Sequence, residues 1–267
     1  MLKLGDVPFV NSKLLFYALE SNLLPNQFAI ENHPPYILSR LLEEKKIDLG
    51  LIPVAELLQK GGYRVIPNIS ISSLGTVDSV LLISKKEIGE IKKVALDMRS
   101  QSSSSLTRIV FSCFYGTDPE YILKDHRENF FEDVDAGMII GDAGLRYLHS
   151  NKGEYLVYDL GEIWTEKTGL PFVYAVLAVN DNVDLGSNAG VFEESKKIGR
   201  QYVDEICENE YSKIGIDFDL CKNYISNRIR YDLGEPEIKG IQEFAGYLNK
   251  IGISADFDRL KFYQPDK

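Results

Sequence analysis

The chain has 267 residues, 44% of them hydrophobic and 26% charged, enough for one large or two modest globular domains with a sizeable core. A net charge of −10 argues against nucleic acid and anionic membrane surfaces as partners, and means that an anionic ligand needs a locally favourable field from helix N-termini and backbone N–H groups. The three cysteines (Cys113, Cys207, Cys221) are odd in number and form no C-x-x-C. They read as reduced thiols of a cytoplasmic protein rather than a zinc or disulfide framework, and neither an export signal nor an apolar run near the ~18 residues that span a bilayer is present.

Residues 2–5 and the turn through Pro8 read as a first strand. Leu14, Leu15, Ala18 and Leu19 then recur at helical spacing until Asn22 and Pro25. A short strand at 28–30 precedes a helix opened by Pro34 and Pro35. Residues 47–53 form a buried strand, and a helix runs from Val54 to the Gly61-Gly62 stop. This βαβαβα order predicts a parallel-rich sheet flanked by helices. Two consecutive strands follow at 66–71 and 77–84, and the polar stretch 85–90 marks a boundary.

A second series starts there. It contains a strand at 94–97, a serine run at 100–105 leading into a helix over 106–114, and a strand at 136–140. The turn Gly141-Asp142-Ala143-Gly144 then enters a helix, a strand covers 155–160, and a short helix at 161–168 carries the only Trp. Residues 170–179 are an almost wholly apolar strand, and the remainder is helical, over 191–208, 220–229 and 236–251. The expected architecture is α/β and two-lobed, a clam with a hinge. One lobe comprises 1–85 plus 179–267 and the other 86–178. The strands at 79–84 and 172–179 cross between them, and the ligand lies in the cleft.

Four segments point at that cleft. Asn11 and Ser12 stand where a strand ends and a helix begins, and serve either as an N-cap or as hydrogen-bonding partners of a small anion. In the serine run, Ser102, Ser103, Ser104 and Ser105 offer hydroxyls beside free helix amides, an anion cradle without Lys or Arg, or else a loop with one N-cap. Gly141 permits close approach of a ligand, and Asp142 caps its helix or accepts from a substrate hydroxyl. Pro171 and Phe172 enter one crossing strand, where Phe172 packs on a planar ligand or in the core. Ser79 is a lone hydroxyl at the start of the other. Gly5-Asp6 reads as a turn. His33, His126 and His149 lie outside these segments. No metal-ligand cluster, P-loop, dinucleotide fingerprint or nucleophile elbow occurs, so the expected chemistry uses neither metal nor cofactor and rests on position and polar contacts.

These segments resemble a known family. Val7 through Leu15 looks like its N-terminal F-x-N-S-x-P-L signature. Asp48 through Val54, Gly75 through Val80, Ala95-Leu96-Asp97 with the serine run, Ile140 through Ala143, and Trp164 with Thr168 through Ala175 follow in its order. The family is chorismate dehydratase, the first enzyme of the futalosine route to menaquinone. The resemblance implies a type II periplasmic-binding-protein fold and loss of water from chorismate, a small dianion, to give 3-[(1-carboxyvinyl)oxy]benzoate. It also implies a pocket lined by Asn11, Ser79, the serine run and the Asp142 and Phe172 segments. Asn11 and Asp142 are the expected catalytic residues, with Ser12 capping its helix or touching a carboxylate. The chain departs from the signature at Leu14, where the family usually has Pro, and in a serine run without the expected Thr.

Two alternatives share the fold. 1,4-dihydroxy-6-naphthoate synthase, a later enzyme of the same route, opens with a Ser-Pro-Cys-Pro-Asn type signature and uses a His where this chain has Asp142. A non-catalytic binding protein for small anions would need an export signal or a lipid-attachment Cys, and residues 1–4 offer neither. The expected assembly is a monomer or homodimer.

Overall fold

A computed structural model describes residues 1–25, 27–124, 131–150 and 153–264. His126 lies outside them. Ten strands form two five-stranded sheets. The first holds β1 (Leu2–Asp6), β2 (Phe28–Asn32), β3 (Leu49–Pro53), β4 (Tyr63–Ser73) and β10 (Phe172–Asn180) in the order β2-β1-β3-β10-β4. The second holds β5 (Val80–Ser84), β6 (Lys93–Asp97), β7 (Glu120–Lys124), β8 (Ala136–Ile140) and β9 (Leu156–Asp159) in the order β7-β6-β8-β5-β9. In each sheet the first three strands are mutually parallel, the fourth is antiparallel, and the fifth returns to the first direction.

The two sheets thus share one topology, and each takes its antiparallel strand next to the chain's passage between lobes. β5 pairs wholly in the second sheet and β10 wholly in the first, so the chain crosses at 74–79 and again after β9. All residues of β3 and β5 are buried, as expected of central strands covered by helices on both faces. β7, unexpected from the sequence, is an edge strand whose residues are half-buried or exposed, so it lacks a core strand's apolar signal.

The helices are α1 (Val10–Glu20), α2 (Pro35–Glu43), α3 (Val54–Lys60), α4 (Gln101–Ile109), α5 (Asp142–Ser150), α6 (Leu160–Thr168), α7 (Val191–Gln201), α8 (Val203–Ile214), α9 (Phe218–Asn223) and α10 (Glu235–Lys250). The serine run is not a loop. It forms the first turns of α4, because Ser100 acts as N-cap and its side chain accepts the Ser103 N–H. The expected helix over 191–208 is broken at Tyr202, whose φ of −107° and ψ of 19° leave helical geometry and whose ring lies 5.5 Å from that of Tyr17 on α1. α9 runs on into a π-helical turn over Tyr224–Arg228. Among the described residues, no helix is long and apolar enough to cross a membrane.

Candidate active site

In a parallel βα series, strand C-termini and helix N-termini meet at one edge of the sheet. Here two such edges face each other around a cavity. Phe9, Pro53 and Ser100, which precede α1, α3 and α4, line it. So do Pro35, the first residue of α2, and Gly141, the residue before α5. Five helix N-termini therefore surround one space. Among the described residues, the lining side chains include no Lys, Arg, Asp or Glu. The polar ones are Asn11, Ser79, Ser100, Ser103 and Tyr174, and the rest are mainly aliphatic. Such a wall suits a ring compound whose negative groups are met by N–H dipoles instead of cations.

Asn11 is the second residue of α1. Its Oδ1 is buried and has no hydrogen-bond partner in the protein. Ser79 is 1% exposed, and its Oγ accepts a 2.7 Å hydrogen bond from the Tyr224 hydroxyl. Tyr224 also stands near the Asn11 side chain, although no hydrogen bond joins the two. Burial raises the pKa of its phenol, while Ser79 and Asn11 pull the other way. Gly141 has φ +62°, and a Cβ there would stand 2.8 Å from the Phe9 ring. This position needs glycine both for its backbone and for the approach of Phe9.

Of the serine run at 100–105, only Ser100 and Ser103 line the cavity, and they are hydrogen-bonded to each other at 3.0 Å. Ser102 reaches across the cleft, where its Oγ accepts the Ala55 N–H at 3.2 Å and so caps α3 of the opposite lobe. Ser104 donates to Asp97 O at 3.2 Å, and Ser105 is buried away from the cavity. Ser12 is also structural: its Oγ lies 3.1 Å from both Val7 O and Phe9 O, tying the end of β1 to the start of α1. The N-cap of α1 is Phe9, which has no side-chain cap, so Ser12 does not take the capping position.

Asp142 stands just outside the cavity, in an adjoining pocket with Pro8, Phe9, Arg99 and Arg146. Its Oδ1 accepts the Val10 N–H at 3.1 Å, so a carboxylate of the second lobe caps α1 of the first. Burial pushes its pKa up to about 6 against the pull of that N–H. The crossing segment before β10 is likewise structural. Pro171 O accepts the Trp164 indole N–H at 3.2 Å, and Phe172 packs against Trp164, Tyr174 and Phe244 with ring centroids 4.8–5.2 Å apart. The aromatic of β10 that lines the cavity is Tyr174, two residues further along the strand and in ring contact with Phe172.

Asp6 is no exposed turn residue. It ends β1, is fully buried, accepts the Val7 N–H at 2.7 Å, and is pushed up to about 7 by burial. His33 and His149 lie near Glu31 and Asp217 at the periphery, and among the described residues no three His, Cys, Asp or Glu side chains gather as metal ligands. Sequence inspection missed Phe9, Ser100, Tyr174 and Tyr224 as site residues. Helical spacing pairs Ser100 with Ser103, and strand alternation links Tyr174 to Phe172. No local signal marks Tyr224, which is 145 residues from Ser79.

Comparison with known proteins fits this geometry. A chorismate dehydratase from Thermus thermophilus is 27% identical over 237 residues, covering 83% of this chain and 87% of that protein. The alkanesulfonate-binding protein of Xanthomonas axonopodis, solved with bound MOPS, superposes with a TM-score of 0.71 at 14% identity, over 98% of each chain. The periplasmic aliphatic sulphonate-binding protein of Escherichia coli gives 0.67 at 16% identity, over 100% of this chain and 92% of that one. The architecture is therefore the two-lobed periplasmic-binding-protein fold. The menaquinone biosynthesis family matches residues 2–250, and the chain belongs to that family.

Proposed function

We propose that this protein is a hydro-lyase that converts chorismate to 3-[(1-carboxyvinyl)oxy]benzoate and water, without a cofactor, in menaquinone biosynthesis. The observation that carries the reading is the buried, unpartnered Oδ1 of Asn11 in an uncharged cavity surrounded by five helix N-termini. The chorismate dehydratase relative supplies the substrate.

The chemistry suits such a cavity. The ring proton beside the ether oxygen leaves, and the neighbouring carbon loses hydroxide, so the cyclohexadiene becomes a benzene. Between those events, charge spreads through the ring double bond into the ring carboxylate, the E1cB-like course. N–H dipoles aimed at that carboxylate lower the barrier where the charge develops. Asn11 meets the departing hydroxyl or the developing charge. The position of Asp142, outside the cavity and bonded to Val10 N–H, supports an interlobe clasp over a proton-abstracting base. A carboxylate of the substrate itself then takes the proton.

In this reading Ser79, Ser103 and Gly141 line the substrate site, and Ser102 joins Asp142 as a clasp. Ser12, Ser104, Ser105, Pro171 and Phe172 shape the walls from behind. The strand memberships of β5 and β10 support lobe boundaries near 79 and 171 in place of 85 and 179. The protein acts in the cytoplasm, as a monomer or homodimer. Incubating the purified protein with chorismate alone, and following the products by chromatography, tests the proposal. The enolpyruvyl benzoate is expected. Unchanged chorismate, with tight binding of another organic anion, would favour a solute-binding protein.

A further inference from the structure

We propose that Tyr224 is a positioning residue: it fixes Ser79 as a hydrogen-bond donor toward the cavity, beside the unpartnered Oδ1 acceptor of Asn11, a pair that fits the substrate's hydroxyl and not its carboxylates. The inference rests on the dehydratase reading for the identity of that hydroxyl.

Tyr224 begins the π-helical turn after α9, and its ring is fully buried. A phenol has one proton to give, and Tyr224 gives it to Ser79 Oγ at 2.7 Å. Beside this pair, Asn11 keeps a buried Oδ1 without a protein partner. Ser79 Oγ, already accepting from Tyr224, has its own proton left to give, and this serine lines the cavity.

The polarity matters because the possible ligand groups differ. A hydroxyl both donates and accepts, so it pairs with Asn11 Oδ1 through its hydrogen and with Ser79 through its oxygen. A carboxylate only accepts, and against Asn11 Oδ1 it would bring two acceptors together. With the bond reversed, Tyr224 would accept from Ser79, and the cavity would see a serine lone pair in place of a donor. In the elimination, Ser79 donating to the departing oxygen helps the carbon–oxygen bond break. The hydroxide leaves with the bonding pair and takes up the abstracted proton, so water forms and the atoms balance. Tyr224 touches neither the substrate nor the reacting atoms in this scheme and acts only through Ser79.

A double-mutant cycle on the full-length protein, assayed with chorismate, tests this. Tyr224→Phe is expected to lower kcat by about tenfold to a hundredfold, the scale of one or two lost polar contacts, with KM changed less than about threefold. In the Ser79→Ala background the same change should cost less than about threefold, because the group it positions is gone. A merely structural tyrosine would give multiplicative losses, and that result, or a Tyr224→Phe protein of normal kcat, would overturn the proposal. Should Tyr224→Phe not fold, Ser79→Cys serves instead. A thiol is a weak donor, so activity should fall as far as in Ser79→Ala, and Ser79→Cys turnover within about threefold of wild type would overturn the scheme. Wild-type protein inert to chorismate would overturn the functional reading and this inference together, whereas an active wild type with multiplicative variants would overturn this inference alone.

Discussion

Phe9 stands between two pockets that handle charge differently. On its inner side lies the cavity with Asn11 and Ser79, whose lining side chains carry no formal charge. On its outer side Arg99, Asp142 and Arg146 line a second pocket with Pro8 and Pro34. A chain of net charge −10 repels a dianion on average; in the proposed reading the exposed Arg146 offsets that repulsion beside the cavity, while Arg99 is paired with Asp97. In the proposed reaction a cation inside would hold the substrate's carboxylates as firmly before the reaction as during it, whereas helix N-terminal dipoles favour a transition state in which charge grows. The proposed reading assigns capture and chemistry to adjacent pockets, with Asp142 bonded across the lobes between them.

Asn11→Ala breaks the inner side most directly. It should lower kcat about 10²–10³-fold, the usual cost of an electrostatic partner in a dry site, while the melting temperature stays near wild type because Oδ1 has no protein partner to lose. Near-normal turnover in steady-state assays would remove Asn11 from the mechanism. Gly141→Ala attacks the partition. Its added Cβ meets the Phe9 ring and its backbone stays at positive φ, so urea unfolding should show a loss of roughly 1–3 kcal/mol, with KM raised.

A third test concerns the carboxyl buried behind the inner wall. Asp6 is raised to about 7, above its unfolded value near 4. Between those values the folded state holds more protons than the unfolded one, so this group's contribution makes stability fall as pH rises from about 4 to about 7 and level off above. Asp6→Asn should remove that component, and denaturant midpoints for the two proteins should converge at acid pH and separate toward pH 7, with the variant higher. Parallel curves would contradict the assignment. Smaller still, Arg146→Gln should lower kcat/KM by about twofold to fivefold at low ionic strength and by almost nothing in 0.5 M salt, on the order expected of a screened, exposed charge. Least of all, Asp142→Asn keeps an oxygen for Val10 N–H and should leave kcat within about threefold, with an unchanged pH–rate profile. If turnover instead rises with pH through about 6 in wild type and collapses in the variant, Asp142 is the base.

The sequence showed the inner site better than the outer one. Asn11 and Gly141 stand at strand-to-helix passages, where periodicity changes from two to 3.6 and polar residues are conspicuous. The same signals misplaced neighbours of those residues. Ser12 is as polar as Asn11, yet its hydroxyl returns to Val7 and Phe9. Within the serine run, composition offers five equivalent hydroxyls, and only the starting point of α4 decides that Ser100 and Ser103 face the cavity while Ser102 faces Ala55. Phe172 and Tyr174 stand two residues apart on β10 and in ring contact, and the aromatic cluster around Trp164 determines which of them is core. Tyr224 reaches the site from a helical tail whose periodicity reads only as packing, because long-range contacts leave no mark in local pattern. The clasping role of Asp142 is illegible for the same reason, since its partner is 132 residues away.

The central claim is that an uncharged cavity, ringed by helix N-termini, dehydrates chorismate by itself. Purified protein mixed with chorismate, with no cofactor added, should show loss of the diene absorbance matched one-to-one by 3-[(1-carboxyvinyl)oxy]benzoate, with no pyruvate released. Chorismate that persists unchanged, or that breaks down to pyruvate and a hydroxybenzoate, would contradict it.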